Sequence, residues 1–246
     1  MGKSSKKHIG KEISIAQAYF VQAEEFRLNN NHKEAIDSYL HSILMNRNNA
    51  ASYLGLAISY KNLKNYDKAV INLQKAEKLQ PADIRVQKEL ALCNIIRGDF
   101  ETGIKHLRTS IRLDPQNVEV HMQLALVHEM IEETDMALMI YQKIIETNPE
   151  YLRAYIQKAT LYMHLEDYLD SARVFRKVLR LKPDYYRACL AIGICYEKLS
   201  NTSGAKRFYR KYMNLAKNTL NSQAVSQRIK ELETNNRKER RNLRVL

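Results

Sequence analysis

The sequence predicts an all-α repeat array: six helix-turn-helix pairs closed by one further helix. Three observations lead there. The chain's four prolines, Pro81, Pro115, Pro149 and Pro183, stand 34 residues apart. One 34-residue pattern runs in register with them from Ala16 to Thr219, without insertion or deletion. Within it the eighth position reads Ala23, Ala57, Ala91, Ala125, Ala159 and Gly193, and the twentieth reads Ala35, Ala69, Gly103, Ala137, Ser171 and Ala205. A fixed period of this length marks units that bury their apolar faces only by stacking on neighbours.

The elements follow in order. Residues 1–15 hold four lysines against one glutamate and form a basic tail leading into the first helix. No apolar stretch follows Met1–Lys11, which argues against a secretory signal, and Lys6 stands where a myristoylation motif needs a hydroxyl. The repeats occupy 16–49, 50–83, 84–117, 118–151, 152–185 and 186–219.

In each repeat, small residues at positions 8 and 20 let two helices approach closely. Larger side chains fill the space around them, such as Leu56, Leu90, Leu124 and Ile192 at position 7. Position 24 holds Tyr39, Leu73, Leu107, Tyr141, Phe175 and Tyr209. Spacings of three, four and seven are helical. Turn formers at positions 15 and 16, among them Asn30-Asn31, Gly98-Asp99 and Ser200-Asn201, separate the two helices. Proline at position 32 ends the second, because it lacks the N–H that would prolong it. Ala224, Val225, Ile229 and Leu232 then form an apolar stripe at helical spacing, a capping helix over residues 220–236, and residues 237–246 are a second basic tail.

Small residues at 8 and 20, large apolar residues at 4, 7, 11 and 24, and proline at 32 together resemble the tetratricopeptide repeat. The resemblance covers 204 of the 246 residues. It departs at Arg47 and Lys217, which replace the proline, and at Gln87, His121 and Cys189, which replace a large hydrophobe at position 4. The family fold it implies is a right-handed α-solenoid, or superhelix, acting as a scaffold for protein partners.

Other chemistries find little support. The three cysteines lie on predicted helices without CxxC spacing and read as core residues of a reducing compartment. His121 and His128 are seven apart, yet they occupy positions where other repeats place packing tyrosines, so they read as core and not as metal ligands. No Gly-rich phosphate loop, GxSxG or HExxH occurs. The chain therefore reads as a non-enzyme without cofactor or metal. No run approaches the length of a membrane helix, and a cytoplasmic location is expected.

By the resemblance, the first helices line a concave groove through positions 2, 5, 6, 9, 12 and 13. Its expected floor is Leu54, Ile58, Leu92, Ile95, Met122, Leu126, Ile156, Met163, Leu190 and Ile194. Arg85, Lys88, Arg153 and Arg187 are its expected cationic anchors, with Gln123 and Gln157 beside them. An apolar floor with a basic edge suits an amphipathic, acidic peptide or helix. The carboxylate clamp known in the family needs asparagines and lysines in an order that Lys88, Leu92, Gln123, Arg153 and Gln157 do not reproduce.

Two alternatives remain. A formal net charge of +13, about half of it on the tails, is compatible with an RNA- or ribosome-associated protein. An open apolar groove is equally compatible with self-association into a homo-oligomer or a structural assembly.

Overall fold

The computed structural model describes residues 3–216 and 221–242, with side chains placed over 14–216 and 221–234. Among the described residues are thirteen helices and no strand. They fall into two compact units, Met1–Ile131 and Glu132–Leu246.

The first unit holds α1 (Lys3–Leu28), α2 (His32–Met45), α3 (Ala50–Asn62), α4 (Tyr66–Leu79), α5 (Ile84–Ile96), α6 (Phe100–Leu113) and α7 (Val118–Met130). Each packs on the next along the chain. In addition α1 touches α3 and α3 touches α5, so the first helices of successive repeats form a common layer. The second unit holds α8 (Thr134–Thr147), α9 (Leu152–His164), α10 (Tyr168–Leu181), α11 (Tyr186–Lys198), α12 (Thr202–Leu215) and α13 (Ser222–Asn242), again packed in sequence order. The all-α class and the tandem stacking of helix pairs are as the repeat pattern predicts.

All twelve small residues at positions 8 and 20 are buried. Ser171 uses the close approach directly, its hydroxyl donating to the Ala159 carbonyl across the hairpin at 2.8 Å. Apolar clusters join consecutive repeats; one gathers Val70, Leu73, Val86, Leu90 and Cys93, another Phe175, Val178, Ile192, Cys195 and Phe208.

The turn between paired helices has one conformation throughout. Position 15 is left-handed in all six repeats, at Asn30, Lys64, Gly98, Glu132, Glu166 and Ser200, with φ between 58° and 83°. In five of them the next amide, as in Asn65 N to Tyr60 O at 2.9 Å, reaches back to the carbonyl five residues earlier and closes the first helix. Only one of the six is glycine, the residue that takes this conformation without steric cost. Position 16 then caps the second helix: Asn65, Asp99, Asp167 and Asn201 each accept a backbone N–H three residues on.

Proline proves dispensable for ending the second helix. α2 and α12, which lack it, stop at the same repeat position as α4, α6, α8 and α10. In each, the amide of the following residue donates to a carbonyl four residues earlier and satisfies the end. At the termini, α1 starts at Lys3 and takes in most of the segment read as a basic tail, and α13 continues past residue 236 to Asn242. The side chains of residues 1–13 and 235–246 lie outside the described residues, and with them most of the tail charge. Val225 and Leu232 of α13 pack against Tyr209 and Tyr212 of α12 and cover that end of the second unit's core. Among the described residues no helix is long and apolar enough to cross a membrane.

Candidate functional site

A cleft of about 400 Å³ opens on the layer formed by α1, α3 and α5, in the first unit. Its apolar surface comes from Phe20, Leu54, Ile58 and Ile84, with Ala51 and Gly55 between them. The small residues matter. Where three of the other repeats place arginine at position 2 and two place glutamine at position 6, α3 has Ala51 and Gly55, and the floor lies open between its neighbours.

Gly55 also has a structural duty. A Cβ there would run into the ring of Tyr39, which crosses from α2 to put its hydroxyl on Glu24 in the cleft wall. Glu24 in turn takes two hydrogen bonds from Arg27, at 3.2 and 2.5 Å. Burial pushes the Glu24 carboxyl up, but the hydrogen bonds from Arg27 and Tyr39 outweigh it and hold the group below its ordinary value. Glu24 and Arg27 therefore form a closed, charged pair along one wall.

Most other rim charges are also matched. Arg85 grips Asp83 through Nε at 3.1 Å and Nη2 at 2.7 Å, while Asp83 caps α5 by accepting the Arg85 amide. Glu89 is paired with Lys61 at 2.7 Å. Asp114 accepts the Asn117 side-chain amide at 3.0 Å. Lys88, half-buried in the cleft, has no ion-pair or hydrogen-bond partner among the described residues.

The cleft thus gathers four of the sequence-derived groove residues, Leu54, Ile58, Arg85 and Lys88, and the others lie elsewhere. Met122 is fully buried at 0 % exposure and is core, not floor. Ile95 faces into its own hairpin, against the spot a Gly103 Cβ would fill at 2.6 Å. Leu92 is exposed, and Gln123 and Leu126 are half-buried on α7. In the second unit, Ile156 and Met163 pack on the cluster of α9 to α12, while Leu190 and Ile194 pack on the cluster that includes α13. Gln157 is half-buried there, and Arg153 and Arg187 are exposed. The apolar floor expected across the first helices of successive repeats is not open as a whole; neighbouring helices bury Met122 and part of the rest.

Reading residue by residue missed Arg27, Glu89, Asp114 and Asn117. The Glu24–Arg27 spacing of three on one helix was the visible signal for the first. Nothing in the repeat register points to Asp114 and Asn117, which lie in the link after α6.

Nucleophilic chemistry has little to work with. Burial raises the thiol of Cys93 to about 11 and pushes Cys189 and Cys195 up as well. His128 is buried, and the ring of His121 meets the Pro115 carbonyl at 3.0 Å. Among the described residues no three His, Cys, Asp or Glu side chains converge as metal ligands would.

The pattern described as "Tetratricopeptide repeat" matches residues 50–83, 152–185 and 186–219, three of the six copies in the same register. These three stretches are tetratricopeptide repeats. No curated protein is similar to the chain in sequence. Among solved structures, it resembles the C-terminal part of a tetratricopeptide repeat-containing protein from Cytophaga hutchinsonii, with TM-score 0.73 and 20% identity over 80% of this chain and 78% of that one. It also resembles Pseudomonas aeruginosa pilF, with TM-score 0.63 and 14% identity over 89% and 99% of the two chains. A third is YrrB, described as a tetratricopeptide repeat protein with an unusual peptide-binding site, with TM-score 0.59 and 16% identity over 77% and 97%. At these identities the likeness is one of tetratricopeptide fold.

Proposed function

We propose that this protein is a non-catalytic interaction scaffold that takes a short peptide segment into the cleft between α1, α3 and α5. The observation that carries the reading is Lys88, a cation without a partner among the described residues, beside an apolar floor most of whose other rim charges are already matched. A ligand carboxylate is what that cation lacks, and an apolar side chain is what Phe20, Leu54, Ile58 and Ile84 can cover. About 400 Å³ is room for one or two side chains, within the usual range for ligand clefts. The peptide-binding site of YrrB, on the same kind of fold, agrees with this use. Ordering a flexible segment offsets part of the contact energy, so affinity of about micromolar strength is expected.

Selection of a random peptide library on the intact chain tests the reading. Enriched peptides should combine an aliphatic or aromatic residue with Asp or Glu a few residues away. Binding should fall about tenfold or more in Lys88→Glu, since reversal sets like charge against the ligand. Enrichment of basic peptides, or binding indifferent to both Lys88→Glu and Ile58→Glu, overturns it.

A further inference from the structure

Of the sixteen Lys and Arg with described side chains in the second unit, eight lie on α10 and α12. The two helices carry the same run in the same register, Arg173-x-x-Arg176-Lys177 and Arg207-x-x-Arg210-Lys211, and the other four repeats lack it. Arg180 extends the row on α10 and Lys206 on α12. Against these eight cations α10 has one carboxylate, Asp170, and α12 has none. By contrast α8, in the same unit, has Lys143 against Asp135 and Glu146.

The fold brings the two rows together. α10 and α12 both pack on α11. Arg176 lies over the ring of Tyr196 at 5.8 Å, Tyr196 meets Phe208 at 5.7 Å, and Arg207 lies over Phe208 at 5.0 Å. This ladder of cation, ring, ring and cation links Arg176 of α10 to Arg207 of α12. Asp170 holds Arg173 and Glu233 holds Arg210, the latter at 2.6 Å. Lys177, Arg180, Lys206, Arg207 and Lys211 make no ion pair among the described residues.

From this geometry we infer that the face formed by α10 and α12 is a second binding surface, one that holds the phosphate backbone of single-stranded RNA. Five of the eight cations are arginine, whose planar fork matches phosphate oxygens. Eight cations against two carboxylates leave an excess of like charge that is relieved by a polyanion releasing its counterions on binding. Every exposed residue within 173–180 and within 206–211 is basic. A membrane-binding surface would present apolar side chains for insertion among its cations; none is exposed between these, and the exposed Leu169, Leu181 and Leu215 lie at the ends of the two helices. The sides of two helices, with no helix end projecting into a groove, suit backbone contact over base reading. A flexible unpaired strand, which in a cell is chiefly RNA, can follow both rows.

The test is fluorescence anisotropy of the full chain with a labelled oligouridylate of about 20 nucleotides. The triple variant Lys177→Glu, Arg180→Glu, Lys211→Glu removes exposed cations that have no ion-pair partner among the described residues, and circular dichroism checks that it folds. A second triple in the first unit, Lys78→Glu, Lys105→Glu, Arg108→Glu, makes the same change in net charge. The first triple should weaken binding by about tenfold or more and lower the slope of log affinity on log salt by about two, at roughly 0.7 per lost phosphate contact. The second should stay within about threefold of the parent. A version of the first triple with glutamine in place of glutamate should move in the same direction by less. Equal losses in the two charge-reversed triples would reduce the effect to net charge and overturn the inference. So would binding to phosphatidylserine vesicles without binding to the oligouridylate.

Discussion

Tyr39 in the first unit and Tyr209 in the second stand at the same repeat position and make the same kind of contact for different ends. Each ring passes over a glycine, Gly55 or Gly193, where a Cβ would collide with it. Each hydroxyl donates to a glutamate, and each glutamate is clamped by an arginine. For Tyr39 the partners Glu24 and Arg27 are on α1, and the trio lines an open cleft. Tyr209 donates at 2.8 Å to Glu197 on α11, while Arg228 reaches the same carboxylate from α13 at 2.6 Å and ties the last helix to the stack. One side-chain device shapes a wall in one place and seals an end in the other. What differs is where the arginine comes from and which helix carries the glycine, α3 of the next repeat for Tyr39 and α11 of its own repeat for Tyr209.

The glycines offer the largest break in this comparison. Gly193→Ala and Gly55→Ala should each lose about 2 kcal/mol or more in urea unfolding, because a buried tyrosine ring must shift to make room. Gly193→Ala should also loosen α13, and Gly55→Ala should weaken peptide binding; hydrogen exchange of residues 222–234 separates the two effects. If the Gly55 variant is as stable as the parent, Tyr39 does not hold the wall.

Smaller effects sharpen it. Asn65→Ala and Asp99→Ala each remove a side-chain cap and should cost about 1 kcal/mol. Ser200→Gly and Glu166→Gly relieve left-handed residues between paired helices and should raise the melting midpoint by an amount equivalent to about 0.5–1 kcal/mol. Arg228→Ala removes two partly exposed ion pairs, to Glu197 and Glu231, so its cost should stay at about 1 kcal/mol and shrink in high salt.

Acid should act on both trios. Glu24 and Glu197 are held below the ordinary carboxyl value of 4.5, Glu197 chiefly by the hydrogen bond from Arg228. A depressed folded-state pKa contributes stability that is complete above 4.5 and is lost as pH falls through the lower folded value. The melting midpoint should drop below pH 4.5, and less steeply in a Glu24→Gln, Glu197→Gln double variant. The phenols shift the other way, pushed up first by burial and then by the glutamates they face. Tyrosine absorbance should therefore leave two groups un-ionised well above pH 10.

Much of the architecture was legible without coordinates, and particular residues say why. Ala57 and Ala69 recur because every repeat needs the same close approach, so the period alone locates both helices of each pair. The cleft was legible only in part. Leu54, Ile58 and Lys88 sit where the register puts them, but Arg85 is engaged by Asp83, two residues away, and Ile95 turns into its own hairpin toward Gly103.

The sequence by itself determined the helix pairs, their ends and the small residues at their crossings. These depend on contacts within one 34-residue unit, and such contacts repeat with its period. Only the tertiary structure decided that Met122 is core while Leu92 is exposed, that Tyr39 reaches Glu24 over Gly55, and that the Arg-x-x-Arg-Lys runs of α10 and α12 meet through Tyr196 and Phe208. A helical period gives the direction of a side chain about its own axis. What stands in that direction is set by helices from other repeats, whose approach depends on the sizes of residues far along the chain.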